Sequence, residues 1–111
     1  MKLIKMLLKY VFSYETRTQY YSCGKIEYKR KYKKGQLHGK SIRYYENGNI
    51  NWEQGYKNGK PHGEYNVWHP NGNKRLEEEL QNGILNGKRT EWDESGNIIL
   101  EAEYQNGVRI K

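Results

Sequence analysis

The chain has 111 residues, a formal net charge of +7 and an apolar fraction of 34%. That length fits one small domain, and a single cysteine, Cys23, excludes an intrachain disulfide framework or a cysteine-rich zinc site. Low aliphatic content with high charge is the composition of a disordered chain, but 11 Tyr, 3 Trp and a lattice of glycines argue for a fold.

Residues 1–12, Met-Lys-Leu-Ile-Lys-Met-Leu-Leu-Lys-Tyr-Val-Phe, place Ile4, Leu7, Leu8 and Val11 on one stripe at i, i+3, i+4, i+7. This spacing predicts a short amphipathic α-helix within residues 1–15. The segment is too short to span a bilayer, and Lys5 and Lys9 interrupt the apolar run that a signal peptide needs. Three roles stay open: a cap over the first hairpin that follows, a docking helix for a partner protein, and an interfacial membrane helix.

From there on, eleven of the 12 glycines recur with a period of 24. One column is Gly24, Gly48, Gly72 and Gly96; a second is Gly35, Gly59, Gly83 and Gly107; a third is Gly39, Gly63 and Gly87. Only Gly55 lies off the lattice. Tyr20, Tyr44, Trp68 and Trp92 keep the same step, as do Tyr32, Tyr56, Leu80 and Tyr104. Such a period marks a linear array of units, here 16–39, 40–63, 64–87 and 88–111, none able to bury its own face alone.

Each unit reads as two strands. Residues 26–32, 50–56, 74–80 and 98–104 alternate with period 2. Ile26, Tyr28 and Tyr32, then Ile50, Trp52 and Tyr56, fall on even positions; Lys29, Lys31 and Lys33, then Glu53 and Lys57, fall on odd ones. In the third unit Lys74 and Glu78 interrupt the apolar face, and Lys74–Leu80 alone would pass for a helix; the lattice overrules that local reading. A shorter strand ending in Tyr20, Tyr44, Trp68 or Trp92 precedes each of these. Placing Ile42 and Tyr44 on the face of Ile50 and Trp52 requires pairing 44 with 50 and 42 with 52. That arrangement demands an odd loop, with a left-handed glycine and a bulge at Gly24, Gly48, Gly72 and Gly96.

The segment Tyr56-Lys57-Asn58-Gly59-Lys60-Pro61-His62-Gly63 recurs at Tyr32–Gly39 and, with Leu80 and Asn86 substituted, at Leu80–Gly87. Together with Tyr44-Tyr45-Glu46-Asn47-Gly48 and its counterparts, it resembles the MORN repeat, in the variant found in bacterial antitoxin-like repeat proteins and large DNA viruses of amoebae. The resemblance covers roughly residues 16–111. It implies an all-β fold, an elongated twisted sheet of consecutive antiparallel β-hairpins. It implies no enzyme activity, since the repeats serve in assembly, tethering or binding.

The chemistry-bearing side chains share their columns with residues that have no such chemistry. His38 and His62 share a column with Asn86, a poor zinc ligand, so a polar residue bonding the turn backbone accounts for all three. Cys23 shares its column with Asn47, Asn71 and Ser95, which are turn residues, and no histidine sits nearby to activate a thiol. Glu77/Glu79 and Glu101/Glu103 face water. No catalytic, cofactor or metal site is expected.

Two surfaces and the helix stripe are the candidate contacts. Residues 1–43 hold 12 Lys/Arg against 2 Glu, whereas residues 44–111 hold 8 Lys/Arg against 11 Asp/Glu, so one end of the array is basic. Its cluster is Lys25, Lys29, Arg30, Lys31, Lys33 and Lys34. The second surface is an aromatic face of Tyr44, Trp52, Tyr56, Trp68 and Trp92, which a single-layer sheet leaves uncovered unless twist lets the rings cover one another. The expected function is a non-enzymatic module for protein–protein interaction or assembly, with a structural role in a viral particle among the readings. The alternatives are attachment to anionic membrane through the basic end, antitoxin-like inhibition of a partner, and head-to-tail self-assembly through the opposite-signed ends. Nucleic acid is disfavoured because Tyr20, Tyr28 and Tyr32 are needed for packing. With no secretory or spanning segment visible, an intracellular location or the inside of a virion is expected.

Overall fold

The computed structural model describes residues 14–111. In chain order the strands are β1 (Tyr14–Tyr20), β2 (Ile26–Lys33), β3 (Gln36–Leu37), β4 (Gly39–Tyr44), β5 (Ile50–Lys57), β6 (Lys60–Trp68), β7 (Lys74–Gln81), β8 (Ile84–Trp92), β9 (Ile98–Gln105) and β10 (Val108–Arg109). They form one antiparallel sheet in the order β1-β2-β4-β5-β6-β7-β8-β9-β10, with β3 pairing β2 beside that path. The stretch that locally resembles a helix is β7. The helix stripe Ile4, Leu7, Leu8 and Val11 lies outside the described residues, and β1 begins at Tyr14, two residues before the expected start of the first unit.

The molecule measures 59 × 39 × 13 Å. Stacking a second sheet adds roughly 10 Å, so this is a single layer. The described residues form almost no conventional core. Val67 and Ala102 are the buried hydrophobic residues, while Ser41, Gln54, Asn66 and Glu78 are buried polar ones. Cohesion therefore rests on ladder hydrogen bonds and on contacts between neighbouring units rather than on a sealed interior.

Two turn types alternate. Lys34-Gly35, Asn58-Gly59, Asn82-Gly83 and Asn106-Gly107 are two-residue loops with positive φ at both positions, as in a type I′ hairpin. The other turns close through Tyr45 N–H to Asn49 O (2.8 Å) and Gly48 N–H to Tyr45 O (2.9 Å), and the bonds repeat at 21/25, 69/73 and 93/97. Gly24, Gly48, Gly72 and Gly96 sit there at φ 91–93°, left-handed as expected. Tyr44 pairs with Ile50 as face matching required, but the register then slips: Arg43 opposes Trp52 and Ile42 opposes Glu53. The pairing of 42 with 52 does not form. One extra residue, Asn51, is left unpaired in β5, and the slip repeats beyond Tyr20, Trp68 and Trp92.

Successive turns are bolted together one unit apart. Tyr21 Oη donates to Tyr44 O at 2.5 Å, Tyr45 Oη donates to Trp68 O at 2.6 Å, and His69 Nε2 lies 3.0 Å from Trp92 O. The amides of Asn47 and Asn49 both donate to Pro70 O, and those of Asn71 and Asn73 both donate to Glu94 O. On the opposite rim, His38 Nδ1, His62 Nδ1 and Asn86 Oδ1 accept the backbone N–H of Asn58, Asn82 and Asn106. The mixed His/His/Asn column thus binds the turn backbone, as its composition required.

Candidate interaction surfaces

Cross-strand partners lie on the same side of a sheet and neighbours along a strand on opposite sides, so the registers sort the side chains into two faces. The pairs Arg17–Arg30, Tyr28–Arg43, Arg43–Trp52, Trp52–Val67, Val67–Leu76, Leu76–Glu91, Glu78–Arg89 and Arg109–Tyr104 place five arginines on one face. The sixth, Arg75, is the bulge residue of β7 and lines a cavity of that face with Tyr65 and Arg89. Five of the six arginines of the chain therefore share one face, and Arg75 borders its cavity. Lys29, Lys31, Lys33, Lys40, Lys57, Lys60, Lys74 and Lys88, every lysine within a strand, fall on the other.

This sorting corrects both sequence-derived surfaces. The basic cluster is divided by the sheet: Arg30 projects with Tyr28 and Tyr32, whereas Lys29, Lys31 and Lys33 project from the reverse side. Lys25 precedes β2, and Lys34 lies in the following turn at φ 52°. The aromatic face is divided too. Trp52 and Tyr56 belong to the arginine face, but Tyr44, Trp68 and Trp92 lie with Tyr20 along the turn rim of the lysine face. The bulge is the reason, because one unpaired residue inverts the parity of everything beyond it. Tyr20, Ile26, Lys29 and Tyr44 accordingly line one shared groove of about 550 Å³.

Guanidinium groups and rings are matched on the arginine face. Arg17 lies over Tyr32 (4.3 Å to the ring centre), and both Arg30 (4.4 Å) and Arg43 (5.2 Å) lie over Tyr28. Tyr28 packs edge-on against Trp52, which in turn meets Tyr65. Arginine stacks on aromatic planes while lysine keeps a compact, strongly hydrated charge, which suits each to its side.

The two ends of this face differ in charge balance. Toward β8, Arg89 contacts Glu91 at 2.7 Å and Glu78 at 3.3 Å. Burial raises the Glu78 carboxyl above its usual range, and Arg89 opposes that rise only in part. Burial beside Glu78 raises the Tyr65 hydroxyl as well. A cavity of about 520 Å³ opens here between Tyr65, Leu76, Arg89 and Ile99. Toward β1, Arg17 pairs with Glu15 at 3.0 Å, and this hydrogen bond holds the exposed Glu15 carboxyl below its usual range. Arg30 and Arg43 form no salt bridge among the described residues, and Arg43 Nε is shielded from water without an acceptor. These three arginines were not recognisable as a group in the sequence, since they lie 13 residues apart on three strands.

The lysine face carries Glu53, Glu64, Glu77, Glu79, Glu101 and Glu103 beside its lysines. Lys40 pairs with Glu53 at 3.6 Å and Lys111 with Glu103 at 3.8 Å, both largely in solvent. Cys23 is exposed. Among the described residues no cluster of three His, Cys, Asp or Glu side chains is placed to hold a metal, and no helix is long and apolar enough to cross a membrane.

Three consecutive segments, residues 37–58, 61–82 and 85–106, match the MORN repeat variant. Comparison with curated proteins and with solved structures gave no match. The matched segments start 24 residues apart, the step of the glycine columns and of the bolted turns. The chain belongs to the MORN repeat variant family, whose repeats act as modules that bind proteins or membranes.

Proposed function

We propose that this protein is a non-catalytic binding module that holds another protein against its arginine face. The observation that carries this reading is the half-buried row Tyr28–Trp52–Tyr65, whose neighbouring rings touch and over which the described strands place no second layer. Aromatic and arginine side chains are the residues that anchor protein interfaces. The test is a pull-down with the full chain from its native source, washed at roughly 0.15 M and then roughly 0.5 M salt, where screening is much stronger. A single stoichiometric protein that survives the first wash and is lost from Trp52→Ala supports the reading. Failure to retain any protein, or equal retention by Trp52→Ala, overturns it. A partner that is itself toxic when expressed alone would make the module an antitoxin.

A second reading is favoured by the lysine face. Lys29, Lys31 and Lys33 project there in a row between the exposed rings of Tyr20 and Tyr14, a combination suited to anionic headgroups. Flotation with vesicles of phosphatidylserine and phosphatidylcholine at low salt tests it. Binding that Lys29→Gln/Lys31→Gln/Lys33→Gln abolishes would establish peripheral attachment, and the absence of any flotation would remove it.

A further inference from the structure

We propose that Arg17, Arg30 and Arg43 form an oxyanion-binding site for an acidic segment of a partner protein. This rests on the protein-binding reading above and names the chemistry of the partner. The three side chains come from adjacent strands β1, β2 and β4 and share one side of the sheet. Arg17 and Arg30 are direct cross-strand partners, an arrangement in which like charges repel. Arg30 and Arg43 both stack on Tyr28, so they lie no farther apart than the sum of their distances to its ring. Glu15 is the one carboxylate paired with any of the three among the described residues. Arg30 and Arg43 are thus held cations without a counter-ion, compensated by an aromatic ring alone.

Their geometry selects the class of ligand. A guanidinium stacked on a ring can turn its N–H edge to a carboxylate or phosphate oxygen pair. Arg17 already gives Nε and Nη2 to Glu15, and Arg43 Nε is shielded, so the open donors are those of Arg30 and the Nη groups of Arg43. A concavity of about 330 Å³ lies between Arg17, Gln19, Tyr28, Arg30 and Tyr32, wide enough for such a group. Single-stranded nucleic acid is disfavoured because base stacking needs open ring faces, and arginines occupy the rings of Tyr28 and Tyr32. A flat bilayer is disfavoured because the sheet separates this cluster from Lys29, Lys31 and Lys33, so one plane cannot meet both. An extended acidic peptide fits Arg30 and Arg43, the two charges without a carboxylate among the described residues, with Arg17 beside them on the third strand.

The experiment is fluorescence anisotropy of a labelled twelve-residue polyglutamate peptide titrated with the full chain at low salt, in parallel with a fifteen-nucleotide oligothymidylate. Wild type is expected to bind polyglutamate more tightly than the oligonucleotide. Arg30→Gln/Arg43→Gln should weaken the peptide by ~10-fold or more, since it removes two charge-assisted contacts. Lys29→Gln/Lys31→Gln, which removes the same charge from the reverse face, should change it less than ~2-fold, a screened long-range effect. Arg30→Lys/Arg43→Lys keeps the charge and, with the circular dichroism of wild type, should still lose affinity because the planar fork is gone. Equal loss in the arginine and lysine variants, full binding by the lysine-for-arginine variant, tighter oligonucleotide binding, or no peptide binding would each overturn the site. A pull-down partner recovered while polyglutamate fails to bind would overturn this inference alone and leave the protein-binding reading standing.

Discussion

At the scale of single residues, the positions that break the repeat are those the structure explains best. Gly55 is off the glycine lattice, and a Cβ there would lie 2.4 Å from His62 O across the β5–β6 ladder. Backbone cannot yield as a side chain can, so Gly55→Ala should destabilise by ~1–3 kcal/mol, the range for overpacking, read as a lowered urea midpoint. Glu78, the buried acid of the arginine face, is the second exception. Its folded form holds the proton more tightly than the unfolded chain does. Folding is therefore favoured at acid pH and loses ground as pH rises from ~4.3, the ordinary Glu value, through the raised folded value. Glu78→Gln removes that slope and leaves Arg89 its contact with Glu91. Urea unfolding should show the variant gaining on wild type as pH increases; a gap that does not vary with pH would contradict the assignment.

At the scale of the hairpin, units are held by side chains that reach one unit ahead. Tyr45→Phe deletes only the hydroxyl bound to Trp68 O and should cost about 1 kcal/mol, a typical net hydrogen bond. Equilibrium denaturation checks it, with Tyr44→Phe as the control, because no hydrogen bond of the Tyr44 hydroxyl is among those formed in the described sheet. At the fourth turn the ring donor is replaced by an acceptor. Asp93 stands where Tyr21, Tyr45 and His69 stand in earlier units, and its carboxylate accepts the N–H groups of Ser95 and Asn97 within its own turn. Those bonds hold the Asp93 carboxyl below its usual range, that of Asn97 contributing most. A repeat array also predicts modularity. Excision of residues 40–63 joins Gly39 to Glu64 in the same lattice phase, so the shortened chain should keep its β-type circular dichroism and lose only part of its stability.

For the molecule as a whole, the described sheet is a single layer whose two faces carry different cations. With Asp93 in place of a tyrosine or histidine and the Asn97 amide turned back onto it, the fourth turn spends these groups on itself rather than on a second copy. Light scattering across a concentration series at low salt should accordingly give a mass near 13.3 kDa for the 111-residue chain. A mass that grows with concentration would show that edge pairing or charge alone suffices for head-to-tail stacking.

The sequence by itself determined the period, the all-β character, the left-handed glycines at Gly24, Gly48, Gly72 and Gly96, and the turn-binding role of His38, His62 and Asn86. These are local or strictly periodic features, and four copies in register carry them through weak stretches such as Lys74–Leu80. Which side each side chain occupies was decided only by tertiary structure. One unpaired residue per hairpin, at Glu27, Asn51, Arg75 and Ile99, inverts strand parity, and alternation within a strand cannot say where the slip falls. That inversion sends Tyr44, Trp68 and Trp92 away from Trp52 and Tyr56. It also gathers Arg17, Arg30 and Arg43, which are distant in the chain, onto one surface.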